Sequence, residues 1–244
     1  MTVPTGRRVL VPGGTGAVGE GVVRAFLAAG ADVVVPTRSD ARADEFRGLL
    51  GDAATARLHL MTHDYTTFAG AEELAATMAD RLGGVDDVVS PIGGWWAGKR
   101  LWEIDEADWA DAFAGLATTH MAVARAVLPR LSGRGAFTVV VGQSAAYPVP
   151  GSGLVSMEQA AVLMMRRVLA AEAGDRHRIH ALVLGPVRTR DTTGEPGWVG
   201  ADQIGAAAVA LSSVPSREVQ LPTSKDAEAA LATLRTPAPA PAAG

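Results

Sequence analysis

Residues 8–23 read Arg-Val-Leu-Val-Pro-Gly-Gly-Thr-Gly-Ala-Val-Gly-Glu-Gly-Val-Val. The apolar run 9–11 has the length and β-branching of a short buried strand. Gly13, Gly14, Gly16 and Gly19 follow it within seven residues, and Val18, Val22, Val23, Phe26 and Leu27 then recur at helical spacing up to Ala29-Gly30. Strand, glycine turn and helix in this order constrain the chain more than any other stretch. Glycines let backbone N–H groups approach an anion closely, and a helix N-terminus adds partial positive charge. The unit therefore predicts a pyrophosphate-binding turn at the head of a dinucleotide-binding fold. Gly13, Gly16 and Gly19 stand at G-x-x-G-x-x-G spacing rather than G-x-G-x-x-G, and a tight turn that binds nothing is the alternative.

The rest of the chain alternates in the same way. Strands are predicted at 32–36, 56–61, 87–90, 135–142, 179–184 and 219–221. Helices are predicted at 40–50, 69–82, 107–131, 155–173, 201–211 and 226–234. Asp40 and Asp105 are read as helix caps, and Gly83-Gly84 as a helix stop. Alternation of this kind implies an α/β fold with a doubly wound, mostly parallel sheet and helices on both faces, the Rossmann arrangement. Residues 1–235 are expected to form one such domain, and the Pro/Ala-rich tail 236–244 to be disordered.

Composition removes several classes of function. The 244-residue chain carries a net charge of −4, which gives no reason to expect nucleic acid or an anionic membrane as partner. Cysteine is absent, so there is no disulfide framework and no thiolate chemistry. The five histidines are scattered without ligand spacing, so no metal site is expected. No run of 18 apolar residues and no signal-peptide pattern is present, and a cytoplasmic location is expected.

With this order on the page, the chain resembles a short-chain dehydrogenase/reductase over residues 7–211. The glycine turn, Asp64 at the end of the third strand, Ser90-Pro91-Ile92-Gly93 after the fourth, Arg125-Ala126-Val127-Leu128-Pro129 at the end of the long helix and Gly185-Pro186-Val187-Arg188-Thr189 after the sixth strand carry the resemblance. It implies that Gly13, Thr15, Gly16, Ala17, Val18, Gly19, Arg38, Asp64, Tyr65, Pro91, Ile92, Gly93, Gln159, Gly185, Pro186, Val187 and Thr189 line a nicotinamide dinucleotide. Asp64 would hold the adenine amino group, and Thr189 and its neighbours the carboxamide. Arg38 stands where the family discriminates its cofactors, and no acidic residue occupies 35–37, so NADP(H) is favoured over NAD(H). Asp64 is read equally as a helix cap, and Arg38 as a solvated side chain. The family's long interface helix implies a homodimer or homotetramer.

The departures concern the chemistry. The family places Tyr-x-x-x-Lys at the start of the helix after the fifth strand, where the Tyr moves a proton and the Lys lowers its pKa. In this chain Val155 and Gln159 hold those positions. Ser144 or its neighbour Gln143 corresponds to the family's serine, and a turn-forming Ser144 with no role is the alternative. Tyr147, three residues on, is the one tyrosine near the nicotinamide end, as an acid or as a pocket wall. The helix asparagine falls at Gly115 or Leu116, and His120 one turn later is read mainly as an interface residue. Trp95, Trp96 and Trp198 are candidates for a bulky or aromatic substrate, or for core packing. Ser144 and Tyr147 are the catalytic candidates, and Gln143 joins the three indoles as a substrate contact.

Three functions stay open on the sequence. One is an NADP(H)-dependent ketoreductase or dehydrogenase working without the Tyr/Lys relay. The second is a catalytically silent nucleotide-binding regulator or partner subunit. The third is a non-redox cyclase or dehydratase in the same pocket.

Overall fold

The computed structural model describes residues 6–236. The tail expected to be disordered lies, from 237 onward, outside the described residues. Seven parallel strands form the main sheet: β1 (Arg8–Leu10), β2 (Asp32–Thr37), β3 (Leu58–Thr62), β4 (Val85–Ser90), β5 (Leu131–Gly142), β6 (Arg178–Leu184) and β9 (Glu218–Leu221), in the spatial order β3-β2-β1-β4-β5-β6-β9. Val9 pairs with Val33 on one side and Asp87 on the other. The chain builds outward from β1 to β3, then returns to the far side of β1 as β4. The strand order therefore reverses between β1 and β4, and the carboxyl ends of these two strands border a crevice.

Strand periodicity sorts the core onto the two faces. Val9, Val11, Val33, Val35, Leu182 and Leu184 pack with α1 (Ala17–Ala28), α2 (Asp40–Leu50), α7 (Ala201–Leu211) and α8 (Ser224–Arg235). Leu10, Val34, Val88, Phe137, Val139 and Val183 face the other way, onto α3 (Phe68–Leu82), α5 (Leu116–Val127) and α6 (Gly153–Ala173). Helices α1 and α7 meet backbone to backbone: a Cβ on Gly21 would lie 2.1 Å from the Ala201 carbonyl, and one on Gly205 2.2 Å from that of Gly21. Two glycines thus bring the turn at the head of α1 close to the start of α7.

Several local expectations change. Ser39, not Asp40, caps α2 by accepting from the Arg42 N–H, and Asp40 accepts from the Thr62 hydroxyl instead. Thr67, not Asp64, caps α3. Asp105 does cap α4 (Glu106–Trp109), but the predicted helix 107–131 is not α-helical throughout. Residues Ala110–Gly115 form a π-helical turn before α5. A Cβ on Gly115 would lie 2.9 Å from the Ala110 carbonyl, so the wide turn relies on a glycine that an alanine-rich sequence does not flag. A small parallel pair, β7 (Val187–Arg188) and β8 (Val199–Gly200), was not expected.

Candidate active site

The glycine turn has the geometry its sequence implies. Gly13 has φ +83°, and a Cβ there would lie 2.6 Å from the Pro91 carbonyl, so the turn after β1 and the segment after β4 touch across the crevice. A Cβ on Gly19 would lie 2.3 Å from the Gly13 carbonyl, which seats α1 directly on the turn. Gly16 is the N-cap of α1 and offers no side-chain cap. The first N–H groups of this 12-residue helix, from Ala17, Val18 and Gly19, therefore meet no capping side chain. Such a cradle fits a dinucleotide pyrophosphate. Thr37 and Ser90, at the carboxyl ends of β2 and β4, each bury a hydroxyl oxygen without a partner among the described residues, which adds polar capacity along the same edge.

At the β2–β3 end, Arg38 is exposed just past β2. Tyr65 is half-buried, with its hydroxyl near the Gly13 N–H. Burial raises the Tyr65 pKa, while the Gly13 N–H and the nearby positive charge of Arg38 oppose the rise. Asp64 is exposed and accepts from both the N–H and the hydroxyl of Thr66, which holds its carboxyl below the usual range. Asp64 therefore closes a local turn one step before the helix it was expected to cap.

At the β4–β6 end, Pro91 and Ile92 are half-buried and Gly93 is exposed. Gln143 and Ser144 form a single helical turn after β5. The Ser144 hydroxyl donates to Gln159 Oε1 at 2.8 Å, and the Gly142 N–H donates to the same oxygen at 2.6 Å. Val155 is 1% exposed and packs into the interior. Tyr147 is 66% exposed at the end of its turn. Trp95 is 70% exposed, Trp96 half-buried, and Trp198 packs against Gly194 of its own loop, where a Cβ would be 2.4 Å from the indole. After β6, a Cβ on Gly185 would strike the Pro222 carbonyl at 2.0 Å, and the Thr189 hydroxyl accepts from the Asp191 N–H.

Two features here were not singled out from the sequence as parts of the site. Arg190 donates to the Thr15 carbonyl at 3.2 Å and to Glu20 at 2.8 Å, tying the segment after β6 to the glycine turn. Its neighbours border a cavity of about 400 Å³ between α1 and the start of α7, lined by Ala17, Gly21, Arg188, Thr189 and Asp202 among others. The second feature is a buried pair. His120 Nε2 donates to the Ile92 carbonyl at 3.2 Å and lies 3.6 Å from Glu158 Oε1, with both side chains 3% exposed or less. His120 thus supports the segment after β4 rather than an outer interface. Among the described residues, its Nδ1 and Glu158 Oε1 have no hydrogen-bond partner. A sequence signal for Arg190 existed in its place beside Thr189; Glu158 gave none, because a glutamate on a long helix reads as solvated.

Burial pushes Glu158 from 4.5 up to about 7 and His120 from 6.5 down to about 4. The two act oppositely on stability. The raised Glu158 costs stability as pH rises from 4.5 through 7, whereas the depressed His120 costs it as pH falls from 6.5 through 4. In Glu158→Gln only the histidine effect persists. The variant is therefore expected to gain stability relative to wild type as pH rises across this window, by up to about 3 kcal/mol. Denaturant melts at pH 5 and pH 8 check this, and a difference between the proteins that does not change with pH would rule it out.

Among the described residues, no group of three or more His, Asp or Glu side chains is placed to hold a metal ion, and no helix is long and apolar enough to cross a membrane.

The sheet order and the edge just described define a nucleotide-binding α/β protein of the Rossmann type. The sequence profile of the family described as Enoyl-(Acyl carrier protein) reductase matches residues 14–233, so the chain belongs to that family and, with it, to the short-chain dehydrogenases/reductases. It is 28% identical over 229 residues to a cis-2,3-dihydrobiphenyl-2,3-diol dehydrogenase of Rhodococcus globerulus, covering 91% of this chain and 78% of that one. It is 31% identical over 198 residues to a 1-deoxy-11-beta-hydroxypentalenate dehydrogenase of Streptomyces arenae, covering 75% and 68%. In fold it matches an alcohol dehydrogenase from the archaeon Thermococcus sibiricus, complexed with 5-hydroxy-NADP, at TM-score 0.78 and 23% identity, over 89% and 96% of the two chains. These relatives are oxidoreductases, and this chain is read as an enzyme of that general kind.

Proposed function

We propose that this protein is an NADP(H)-dependent oxidoreductase that interconverts a ketone and an alcohol on a bulky or aromatic small molecule, without the Tyr/Lys relay. The observation that carries the reading is a single sheet edge with an intact glycine cradle at one end and the Ser144–Gln159 pair at the other, where Val155 and Gln159 stand in place of Tyr and Lys. The dihydrodiol and hydroxypentalenate dehydrogenases among the relatives support a bulky or aromatic substrate. So do Trp95 and Trp96 after β4 and Trp198 in the loop after β6.

In this reading the turn from Gly13 to Gly19 and Thr189 hold the cofactor, with Arg38 at its adenosine end. A nicotinamide dinucleotide held there would supply hydride chemistry, in which ketone, NADPH and a proton are exchanged for alcohol and NADP⁺. Val155 leaves the usual proton-donor position apolar and dry. Ser144 and Tyr147 are the hydroxyls of the neighbouring turn that can meet the substrate, and Gln143 flanks them. Positioning and polarisation of the carbonyl then supply most of the rate. Exposed Met121 on α5, with Met157, Met164 and Val168 on α6, supports assembly as a homodimer or homotetramer.

The test is a calorimetric titration with NADPH and NADH, followed by turnover assays on cyclic aromatic ketones. Tight NADPH binding with turnover is the expected result. Binding without turnover would favour a silent regulator or partner subunit, and no binding would favour a cyclase or dehydratase. On an accepted substrate, Ser144→Ala is expected to lower kcat/KM about a hundredfold and Tyr147→Phe much less, because Tyr147 stands 66% exposed. The reverse ranking would make Tyr147 the principal group.

A further inference from the structure

We propose that Gln159 sets the direction of hydrogen bonding at Ser144, so that Ser144 meets the substrate as an acceptor. On the proposed redox reading, the site then selects a ketone that carries a hydroxyl beside its carbonyl, an α-hydroxy ketone, over a simple ketone.

The Gly142 N–H can only donate, and its partner is Gln159 Oε1 at 2.6 Å. That contact fixes which way the amide faces, because the Nε2 end would oppose donor to donor. The Ser144 Oγ lies 2.8 Å from the same Oε1. An amide oxygen has no proton to give, so the hydroxyl hydrogen between them belongs to Ser144 and points at Gln159. A serine hydroxyl has one hydrogen. With it committed, what Ser144 presents to the cleft is lone-pair density.

Consequences for recognition follow directly. A bare carbonyl oxygen set against those lone pairs meets repulsion. A substrate hydroxyl set there donates, and completes the chain from substrate through Ser144 to Gln159. Lysine at this position carries only donors, so it accepts nothing from the serine and leaves the serine proton free for a carbonyl. The exchange of Lys for Gln thus does more than remove a charge: it reverses what the serine offers. Ser144 is half-buried, so water competes only partly for this bond. Gln159 acts here through Ser144 and is a positioning residue.

Two matched probes test the proposal, 1-indanone and 2-hydroxy-1-indanone, with wild type, Gln159→Leu and Gln159→Glu. Leucine removes the acceptor and releases the serine proton; glutamate keeps an acceptor. With NADPH, wild type is expected to favour the hydroxy ketone about tenfold or more in kcat/KM. Gln159→Glu is expected to retain that preference and Gln159→Leu to bring it to about parity. A merely structural role for Gln159 would lower both rates together and leave their ratio alone. In the cofactor-free protein, the Gly142 amide proton is expected far downfield by NMR and to move upfield in Gln159→Leu.

Dissociation constants of both probes for the NADP⁺ complex, read from tryptophan fluorescence, separate this proposal from the redox reading. Selective binding that Gln159→Leu abolishes, without turnover, upholds the hydrogen-bond assignment and overturns the oxidoreductase reading. A wild-type preference for 1-indanone, or a ratio unchanged in Gln159→Leu, overturns the assignment. Binding of neither probe overturns both.

Discussion

Replacing Gly13 by valine is expected to abolish measurable NADPH binding and to destabilise the fold by about 2–4 kcal/mol. Two costs combine. The residue sits at φ +83°, a region that a β-branched side chain resists. Its Cβ would also lie 2.6 Å from the carbonyl oxygen of Pro91 and 3.0 Å from the carbonyl carbon, both of them backbone atoms. To make room, the segment after β4 must move away from the turn after β1, which opens the crevice that both segments border. In a chain of this length the loss corresponds to a fall in Tm of about 5–12 °C. Gly16→Ala is the companion variant: its φ is −72° and its Cβ would meet only the Gly13 carbonyl, at 3.1 Å. It is expected to leave the Tm within a degree or two, so that any lost affinity reports on the cradle itself. Wild-type affinity and wild-type Tm in Gly13→Val would remove the turn from the cofactor site.

Arg38→Ala is expected to weaken NADPH binding by about 1.5–3 kcal/mol, tenfold to a hundredfold or more, and to leave NADH nearly unchanged. The guanidinium stands just past β2, and its charge reaches the Tyr65 hydroxyl, which itself lies near the Gly13 N–H. Arg38, Tyr65 and the glycine turn therefore belong to one end of the crevice. The 2′-phosphate distinguishes the two cofactors there, and a charge-assisted contact to it is lost only for NADPH. Titrations of both nucleotides with both proteins give the answer. An equal loss for NADH and NADPH would show that Arg38 does not read the phosphate.

Part of this site was legible because its signals are local. A glycine cluster between an apolar strand and an amphipathic helix needs no tertiary information, and it places the turn at Gly13 to Gly19. The substitutions Val155 and Gln159 are equally plain once the helix after β5 is located. Caps were harder. Ser39 and Asp40 stand side by side, as do Thr66 and Thr67 near Asp64, and each can accept from a helix N–H. Which one does so depends on a shift of one residue in where the chain turns, and the neighbouring strand decides that: Thr62 of β3 claims Asp40.

Side chains whose role depends on a distant partner could not be read in advance. Glu158 lies beside Gln159 in sequence, yet it turns inward because α5 presents His120 against it. Arg190 reaches across 170 residues of chain to Glu20. The π-helical turn at Ala110–Gly115 interrupts a run whose composition favours a continuous helix.

By itself, then, the sequence determined the alternation of strand and helix, the mostly parallel sheet that alternation demands, and the backbone chemistry of the turn. Periodicity and glycine act within a few residues, and their effects survive without knowledge of the rest of the chain. Only the tertiary structure decided which face each buried polar group meets and which way a hydrogen bond runs. The proton of Ser144 points at Gln159 because the Gly142 N–H, delivered by the end of β5, fixes the amide from a third direction. That is a property of three groups brought together by packing, and no one of them carries it alone.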